Sequence, residues 1–220
     1  MVMAHFAEIV GRYGPAVFFS FVALFYTVRI KWLGRQLGHS PVTFGLPGTQ
    51  HHRLSLTFRV FRVLIWAVAV ARAIWPPVDA ALVPLPGLYT PYVMLGGNVL
   101  MLLAFLRVAR LNFQMGRAWR SGVSQSDEAA PLLIGGVFAH CRHPMLAAVM
   151  AGQLGLFLAI PSLFTTLCLV VGLVTLVRQS ELEEADLARR HGERWAAYQA
   201  TTRKWPWSGR LSWCGRGAHA

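Results

Sequence analysis

The sequence predicts an all-α membrane protein: a polytopic bundle of about five transmembrane helices, with a C-terminal helical hairpin and a cytoplasmic amphipathic tail. Of the 220 residues, 55% are hydrophobic and only 14% are charged, whereas a soluble domain carries about a quarter charged residues. Long uncharged runs alternate with polar segments, and Lys and Arg are concentrated in every second polar segment. Both patterns are typical of a chain that crosses a bilayer several times.

Three membrane-spanning helices, or spans, are expected in the N-terminal part of the chain, over residues 15–28, 63–75 and 89–106. The second should end at Pro76-Pro77, because proline lacks the N–H donor that continues a helix. The third carries no charge and has the length of a spanning helix.

Two features inside these spans have predicted roles. Gly96 and Gly97 lie in the middle of the third span, where small residues allow close contact between helices. Arg72 lies within the second span but close to Trp75, so we interpret it as an arginine whose charged end extends to the outer membrane surface.

A helical hairpin is predicted for residues 145–177, which are 33 uncharged residues in a row. Pro161-Ser162 divides this run nearly in half. Each half rises about 22–24 Å at ~1.5 Å per residue, which is somewhat shorter than the ~30 Å hydrocarbon core. Two short antiparallel helices joined by a tight turn fit this length better than one long helix.

The basic residues predict the orientation of the chain. Lys and Arg lie in three blocks, over residues 29–62, 107–142 and 178–216, and only Arg12 and Arg72 fall outside them. Cytoplasmic loops carry the excess of Lys and Arg, so five spans place the N-terminus outside and the C-terminus in the cytoplasm. The chain carries a formal net charge of +12, and its expected partner is the lipid bilayer. Nucleic-acid binding is not expected, because it requires a basic face on a soluble fold.

The chain is divided into two predicted parts. Residues 1–110 contain the three N-terminal spans, and residues 111–220 contain the hairpin and the tail. The tail begins after Val177 with an acidic and then basic helix, an order that suits the helix dipole. This helix should break near Gly192, before a Trp-Pro-Trp segment suited to the membrane interface.

Polar residues stand at both ends of the predicted hairpin. Because its two helices are antiparallel, the two ends should return to the same cytoplasmic edge and bring these residues together: Arg142, His143 and Pro144 before it, and Arg178, Glu181, Glu183 and Glu184 after it. Taken singly, each residue is more often structural, as a membrane anchor or as part of a solvated helix start.

Metal and thiol chemistry are not predicted. Cys141, Cys168 and Cys214 lack the spacing of a disulfide framework or a metal site. His140 and His143 have no second ligand pair at zinc-site spacing. A Cys141 nucleophile would need a base that activates its thiol, and the sequence does not show one.

Three stretches in the C-terminal half carry a resemblance to a known family: "MGRAWRSGV" at 115–123, "GGVFAHCRHPML" at 135–146 and "ELEEADLARRHGERWAAY" at 181–198. In this order and spacing, the chain resembles the integral-membrane methyltransferase superfamily that includes isoprenylcysteine carboxyl methyltransferase and phospholipid N-methyltransferases. The N-terminal spans match only in being hydrophobic.

The resemblance implies S-adenosyl-L-methionine as the methyl donor, bound on the cytoplasmic side. The family's cofactor-binding positions correspond here to Leu132, Leu133, Phe138, His143, Pro144, Met145, Leu146, Glu183 and Glu184. Arg142 or Arg203 could pair with the cofactor's carboxylate, and Phe138 and Trp195 could supply aromatic surface. Leu146 replaces the family's tyrosine and Ala148 its glycine, and the first change removes one hydrogen-bonding hydroxyl.

The catalytic residues predicted are His143, Glu184 and Arg178. A carboxylate acceptor would need no base, whereas an amine or a thiol would need His143 or Glu184 as one. The acceptor is expected to be membrane-associated or a small lipophilic molecule.

Two other functions remain open at this point. Membrane sterol and steroid reductases resemble this architecture and would bind NADPH instead of the methyl donor. A non-catalytic protein of the same fold would be compatible with Leu146 and Ala148. No obligate protein partner is evident from the sequence.

Overall fold

The computed structural model describes residues 2–43, 45–119 and 132–208, and every structural statement below refers to them. Its α-helices are α1 (Val2–Leu37), α2 (Gln50–Ile74), α3 (Val78–Ala81), α4 (Pro91–Met115), α5 (Pro144–Ala159), α6 (Leu163–His191) and α7 (Glu193–Thr201). Short 3-10 turns follow α4 at Gly116–Ala118 and precede α5 at Gly136–Ala139. The prediction of an all-α fold is confirmed for the described residues.

Four helices are long and apolar enough to cross a membrane: α1, α2, α4 with its 3-10 extension, and α6. The first three cover the three spans predicted near the N-terminus. The fourth, α6, contains the second half of the predicted hairpin, and its first half forms α5, which is apolar but has only 16 residues. The structure therefore contains the predicted hairpin, and the crossing of the bilayer by α5 remains a prediction.

The five longer helices form a bundle in which each helix packs against at least two others. α1 packs against α2 and α4, α4 against α5, α5 against α6, and α6 against α2. We call the end of this bundle at which α5 begins the entrance end, and the end with the α5–α6 turn the tip end. Large apolar side chains on α1, α2, α4 and α6 face outward, as the lipid-facing side of a membrane bundle requires.

The closest approach between two helices joins α4 and α5. A side chain at Gly97 would place its Cβ 2.2 Å from the backbone nitrogen of Ala159, and a Cβ at Gly155 would lie 2.7 Å from the nitrogen of Met101. The predicted role in close packing therefore holds for Gly97. It does not hold for Gly96, where a Cβ would meet no atom within 4 Å.

The tip end is fastened to the segment between α3 and α4. The α5–α6 turn exchanges backbone hydrogen bonds with this segment, since Leu85 donates to the carbonyl of Pro161 and Leu163 donates to that of Val83. A capping box between Ser162 and Thr165 starts α6 immediately after the turn. The turn therefore has a fixed position, which also fixes the direction in which α6 runs back to the entrance end.

Arg72 does not extend to the surface as the sequence suggested. Its side chain is 2% exposed and is held by Asp79, by the carbonyl of Gly11 and by the hydroxyl of Tyr89. Arg12 donates to the same carboxylate at 3.2 Å. Asp79 lies in α3, seven residues beyond Arg72, and a buried guanidinium with a carboxylate partner need not reach water.

Gly97→Ala is expected to destabilise the bundle by about 1–3 kcal/mol, the usual effect of overpacking, because the added methyl group meets backbone atoms of α5. The free energy of unfolding in detergent micelles measures this effect.

Gly96→Ala is the matched control, because it adds the same methyl group to open space one residue earlier. It should leave the free energy of unfolding unchanged or raise it slightly through helix propensity. Equal losses in both variants would contradict the close contact between α4 and α5.

Candidate functional site

Local sequence places Arg142 and His143 immediately before α5. Pro144 occupies the first turn of that helix, where its missing N–H donor has no consequence. His143 is the residue before it, and its side chain makes no capping hydrogen bond. The imidazole is therefore available for contacts with another element.

That element is the polar end of α6. This helix has 29 residues against the 16 of α5, so it continues past the entrance of the hairpin. Its apolar part ends at Val177, and the following turns carry Glu183 and Glu184.

The two helices bring a cluster of ionic groups together across the hairpin. Oε1 of Glu184 accepts hydrogen bonds from Nε of Arg142 and from Nε2 of His143, both at 3.0 Å. Glu183 Oε2 lies 3.7 Å from Nδ1 of the same imidazole, and Lys204 Nζ lies 3.6 Å from Oε2 of Glu184. The predicted meeting of the two polar segments is present in the structure, and we call Arg142, His143, Glu184 and Lys204 the ion-pair cluster.

The chain after α6 folds back over this cluster. Gly192 has a φ of 50°, which favours glycine, and it breaks the helix where the sequence predicted a break. Helix α7 then buries Trp195 and Tyr198, and the hydroxyl of Tyr198 donates to the carbonyl of Phe138 at 2.6 Å.

Residues 202–208, which we call the C-terminal segment, pair with the residues before α5. The backbone of Arg142 donates to the carbonyl of Arg203 at 2.9 Å, and that of His143 to the carbonyl of Lys204 at 3.3 Å. The guanidinium of Arg142 also donates to the carbonyls of Gln199 and Thr202. The entrance of the hairpin and the C-terminal segment thus form one connected unit.

The electrostatic environment keeps Glu184 ionised. Burial alone would raise the pKa of its carboxyl, but the hydrogen bonds from His143 and Arg142, with the charges of both groups, outweigh burial and lower the pKa to about 2. Burial raises the pKa of Tyr198 to about 12 and also raises the pKa of the Cys141 thiol. Cys141 is therefore a neutral thiol, in agreement with its rejection as a nucleophile.

A cavity of about 450 Å³ lies beside the ion-pair cluster, since its lining includes Cys141 and Pro144, which flank Arg142 and His143, and Arg203, which precedes Lys204. Its cationic and aromatic lining comes from Arg107 of α4, His140, and Arg203 and Trp207 of the C-terminal segment. Its apolar wall comes from Val137, Pro144, Ala147, Ala148 and Pro206, next to Cys141. Among the described residues, no carboxylate belongs to this lining.

Several of the site residues predicted from the sequence are divided between the ion-pair cluster and the cavity. Arg142, His143 and Glu184 are in the ion-pair cluster, and Glu183 is beside it. Only Pro144 and Arg203 among the predicted cofactor contacts line the cavity. The C-terminal half therefore presents two neighbouring surfaces, the cavity and the acidic side of the cluster.

The remaining predicted residues lie outside both surfaces. Arg178 is exposed and pairs with Glu181 at 2.9 Å, so the structure does not bring it into the cluster. Side chains at four positions are half-buried without lining the cavity: Leu132, Leu133, Met145 and Leu146. Phe138 contributes its carbonyl to Tyr198, and Trp195 is packed beneath Arg142, 6.0 Å from its guanidinium, so neither gives aromatic surface to the cavity.

Several residues of the site were not singled out from the sequence. Arg107 and His140 line the cavity, Trp207 supplies its aromatic side chain, and Lys204 faces Glu184. His51, from the first turn of α2, lies close enough to Glu183 for an electrostatic interaction. The Trp-Pro-Trp segment and the basic block were visible signals, but their spacing does not show that they fold onto the hairpin entrance.

Glu184→Gln is expected to lower the free energy of unfolding at pH 7 by about 3 kcal/mol, because removing one partner of a buried ion pair leaves Arg142 without its counter-charge. The pKa of Glu184 is lower in the folded chain than its ordinary value of 4.5. Its stabilising contribution is therefore complete above pH 4.5 and is lost as the pH falls towards about 2. Unfolding of both proteins in detergent between pH 7 and pH 3 should show their difference narrowing below pH 4.5.

Glu181→Gln is the matched control, since this carboxylate is exposed and pairs with an exposed arginine on its own helix. Such pairs contribute little to stability. A pH-independent difference between wild type and Glu184→Gln would contradict the ionic role of Glu184.

Comparison of the chain with protein-family models, with curated proteins and with solved structures finds no match. Among the described residues, no group of three or more His, Cys, Asp or Glu side chains could hold a metal ion. These comparisons therefore show no family for this chain.

Proposed function

We propose that this chain is an integral-membrane methyltransferase that uses S-adenosyl-L-methionine. The observation that carries the proposal is the return of α6 to the start of α5. It joins the Arg-His-Pro stretch to Glu184 by two contacts of 3.0 Å, beside a cavity of about 450 Å³. Ligand pockets commonly have volumes of about 300–1,000 Å³.

Residues that line the cavity fit two chemical groups of this cofactor. Arg203 and Arg107 offer guanidinium donors for its carboxylate, and Trp207 offers a ring face for its adenine. The described lining supplies no carboxylate for its ammonium and ribose hydroxyls; Glu184 belongs to the adjoining ion-pair cluster, and Glu183 lies beside that cluster. When bound, the cofactor supplies an electrophilic methyl group on a positively charged sulfur.

The chain's own contribution is orientation. Alignment of reactants contributes roughly 7–11 kcal/mol in well-oriented systems. Here backbone pairing with residues 141–143 holds the position of Arg203. Ala147 and Ala148 form part of an apolar wall of the cavity.

The predicted catalytic roles change in this geometry. His143 and Glu184 hydrogen-bond to each other and lie outside the cavity lining, so we assign them to positioning the entrance of α5. His140 is the imidazole that lines the cavity, and its Nδ1 lies 3.2 Å from the carbonyl of Gly136. A proton on Nδ1 leaves Nε2 free to accept one, so His140 replaces His143 as the base that an amine or thiol acceptor would need.

We propose that the chain crosses the bilayer five times, with the N-terminus outside and the entrance end in the cytoplasm, because the basic blocks lie near that end. In a Cys214→Ser background, a membrane-impermeant maleimide applied to intact cells should label Gly87→Cys and not Leu46→Cys. Both positions are exposed. The opposite labelling pattern would contradict this orientation.

Arg203→Met is expected to weaken binding of S-adenosyl-L-methionine about 10- to 100-fold, because a charge-assisted hydrogen bond contributes about 1.5–3 kcal/mol and 1.4 kcal/mol is about tenfold. The substitution keeps the backbone carbonyl that pairs with Arg142. Calorimetric titration of the purified protein measures the affinity.

Arg178→Met is the control for the loss of one arginine, since Arg178 is exposed on α6, where it pairs with Glu181, and does not line the cavity described above. It should bind the cofactor like the wild type. Heat of binding from NADPH alone would favour the reductase alternative, and heat from neither compound would favour a non-catalytic protein.

A further inference from the structure

A hydrogen-bonded turn lies in the C-terminal segment, over residues 205–208. The backbone N–H of Ser208 donates to the carbonyl of Trp205 at 3.1 Å, which closes the turn. Pro206 occupies its second position, where the fixed φ of proline is favoured. The Ser208 hydroxyl also donates to the Trp205 carbonyl at 2.9 Å and accepts from the Trp205 N–H at 3.0 Å. The turn therefore has a defined shape, and it carries both Trp205 and Trp207.

The two indole rings of this turn stack on each other. Their centres are 5.6 Å apart and their planes differ by 1°. Offset-stacked rings at this distance attract each other beyond the burial of their surface. Trp207 lines the cavity, whereas Trp205 is half-buried and does not line it. Trp205 thus occupies one face of the ring that Trp207 presents at the cavity.

Trp205 is held in turn by the ion-pair cluster. Its ring centre lies 5.5 Å from that of the His143 imidazole, at an angle of 40° between the planes. His143 is 5% exposed, its Nε2 lies 3.0 Å from Oε1 of Glu184, and its backbone N–H donates to the carbonyl of Lys204. The ammonium of Lys204 lies 5.8 Å from the centre of the Trp205 ring, within the range of a cation–π contact.

These contacts form a row of three rings that joins the ion-pair cluster to the cavity: His143, Trp205 and Trp207. Trp207 is 65% exposed, so the interior of the bundle does not enclose its ring. A ring that is free to rotate loses conformational freedom when a ligand stacks on it, and this loss weakens binding. A ring that is already held by a stacked neighbour loses less.

We propose that Trp205 is a positioning residue for the cofactor: its indole, packed between His143 and Trp207, holds the Trp207 ring in the orientation on which the cofactor's adenine stacks. The inference rests on the proposed function, which places the adenine of S-adenosyl-L-methionine against Trp207. Because Trp205 does not line the cavity, it acts through Trp207. His143, which does not line the cavity either, contributes to cofactor binding through the same row of rings.

The first test is calorimetric titration of the full-length protein in detergent with S-adenosyl-L-methionine. Trp205→Leu removes the ring but keeps an apolar side chain, and we expect it to weaken binding about 2- to 10-fold, the size of one aromatic pair. Trp205→Phe keeps a ring that can stack on Trp207 and should bind within about twofold of the wild type. The unfolding midpoint of each variant reports its stability separately.

A double-mutant cycle distinguishes positioning from general damage to the C-terminal segment. Trp207→Leu removes the ring at the cavity and should weaken binding by itself. Since Trp205 acts through that ring, adding Trp205→Leu to Trp207→Leu should cause no further loss of affinity. Equal losses from Trp205→Leu in the two backgrounds would overturn the proposal.

Fluorine NMR of fluorotryptophan-labelled protein tests the stack without any ligand. The chain has eight tryptophans, and the resonance that disappears in Trp207→Leu belongs to Trp207. This resonance should shift in Trp205→Leu, because the ring current of Trp205 no longer acts on it. Trp66, which donates to Ser20 within the bundle, is the internal reference, and its resonance should not shift.

The outcomes separate the two proposals. Wild-type affinity in Trp205→Leu, equal weakening in Trp205→Phe and Trp205→Leu, or an unshifted Trp207 resonance would overturn the role of Trp205 and leave the methyltransferase proposal standing. A lowered unfolding midpoint with unchanged affinity would show that Trp205 only supports the fold. Absence of binding heat in the wild-type protein would contradict the proposed function, and this inference with it.

Discussion

The site depends on one ionic interaction, the contact of Glu184 with Arg142 and His143 across the hairpin. Forty-two residues separate the carboxylate from the guanidinium, and no local rule of helix geometry brings them together. Once they meet, the buried guanidinium needs its carboxylate, because a buried charge without a partner is strongly unfavourable. This need fixes the start of α5, and the C-terminal segment that pairs with it forms part of the wall of the neighbouring cavity.

Two features far from the site position α5 and α6 so that Arg142 and His143 contact Glu184. At the tip end, backbone hydrogen bonds hold the α5–α6 turn against the segment before α4. Along the hairpin, the absence of side chains at Gly97 and Gly155 lets α4 and α5 approach closely. Arg107 of α4 therefore reaches the cavity wall beside Ala147 and Ala148 of α5. The N-terminal half contributes to the site through this packing.

Hydrophobic runs predicted the apolar parts of α1, α2, α4, α5 and α6, because lipid favours uninterrupted apolar helices. They did not predict α3, and α1 starts at Val2 and continues through Pro15, where the first span was expected to begin. The antiparallel hairpin predicted the meeting of Arg142 and His143 with the acidic pair. The sequence did not reveal that Glu184 would pair with Arg142, or that Arg72 would pair with Asp79, since such pairings are set by tertiary packing. For the same reason the cavity lining from Arg107, His140 and Trp207 was missed, and Arg178 was assigned a role that its exposed position does not support.

The ion pair of Arg142 and Glu184 holds the hairpin entrance in position. A double-mutant cycle on the free energy of unfolding, with Arg142→Met, Glu184→Gln and the double variant, measures its contribution. Each single variant removes one partner of the Arg142–Glu184 contact and the double variant removes both, while His143 and Lys204 stay beside position 184 in every variant. We expect the double variant to be more stable than the sum of the single losses allows, by about 1 kcal/mol or more. Additive losses would show that the two side chains do not interact.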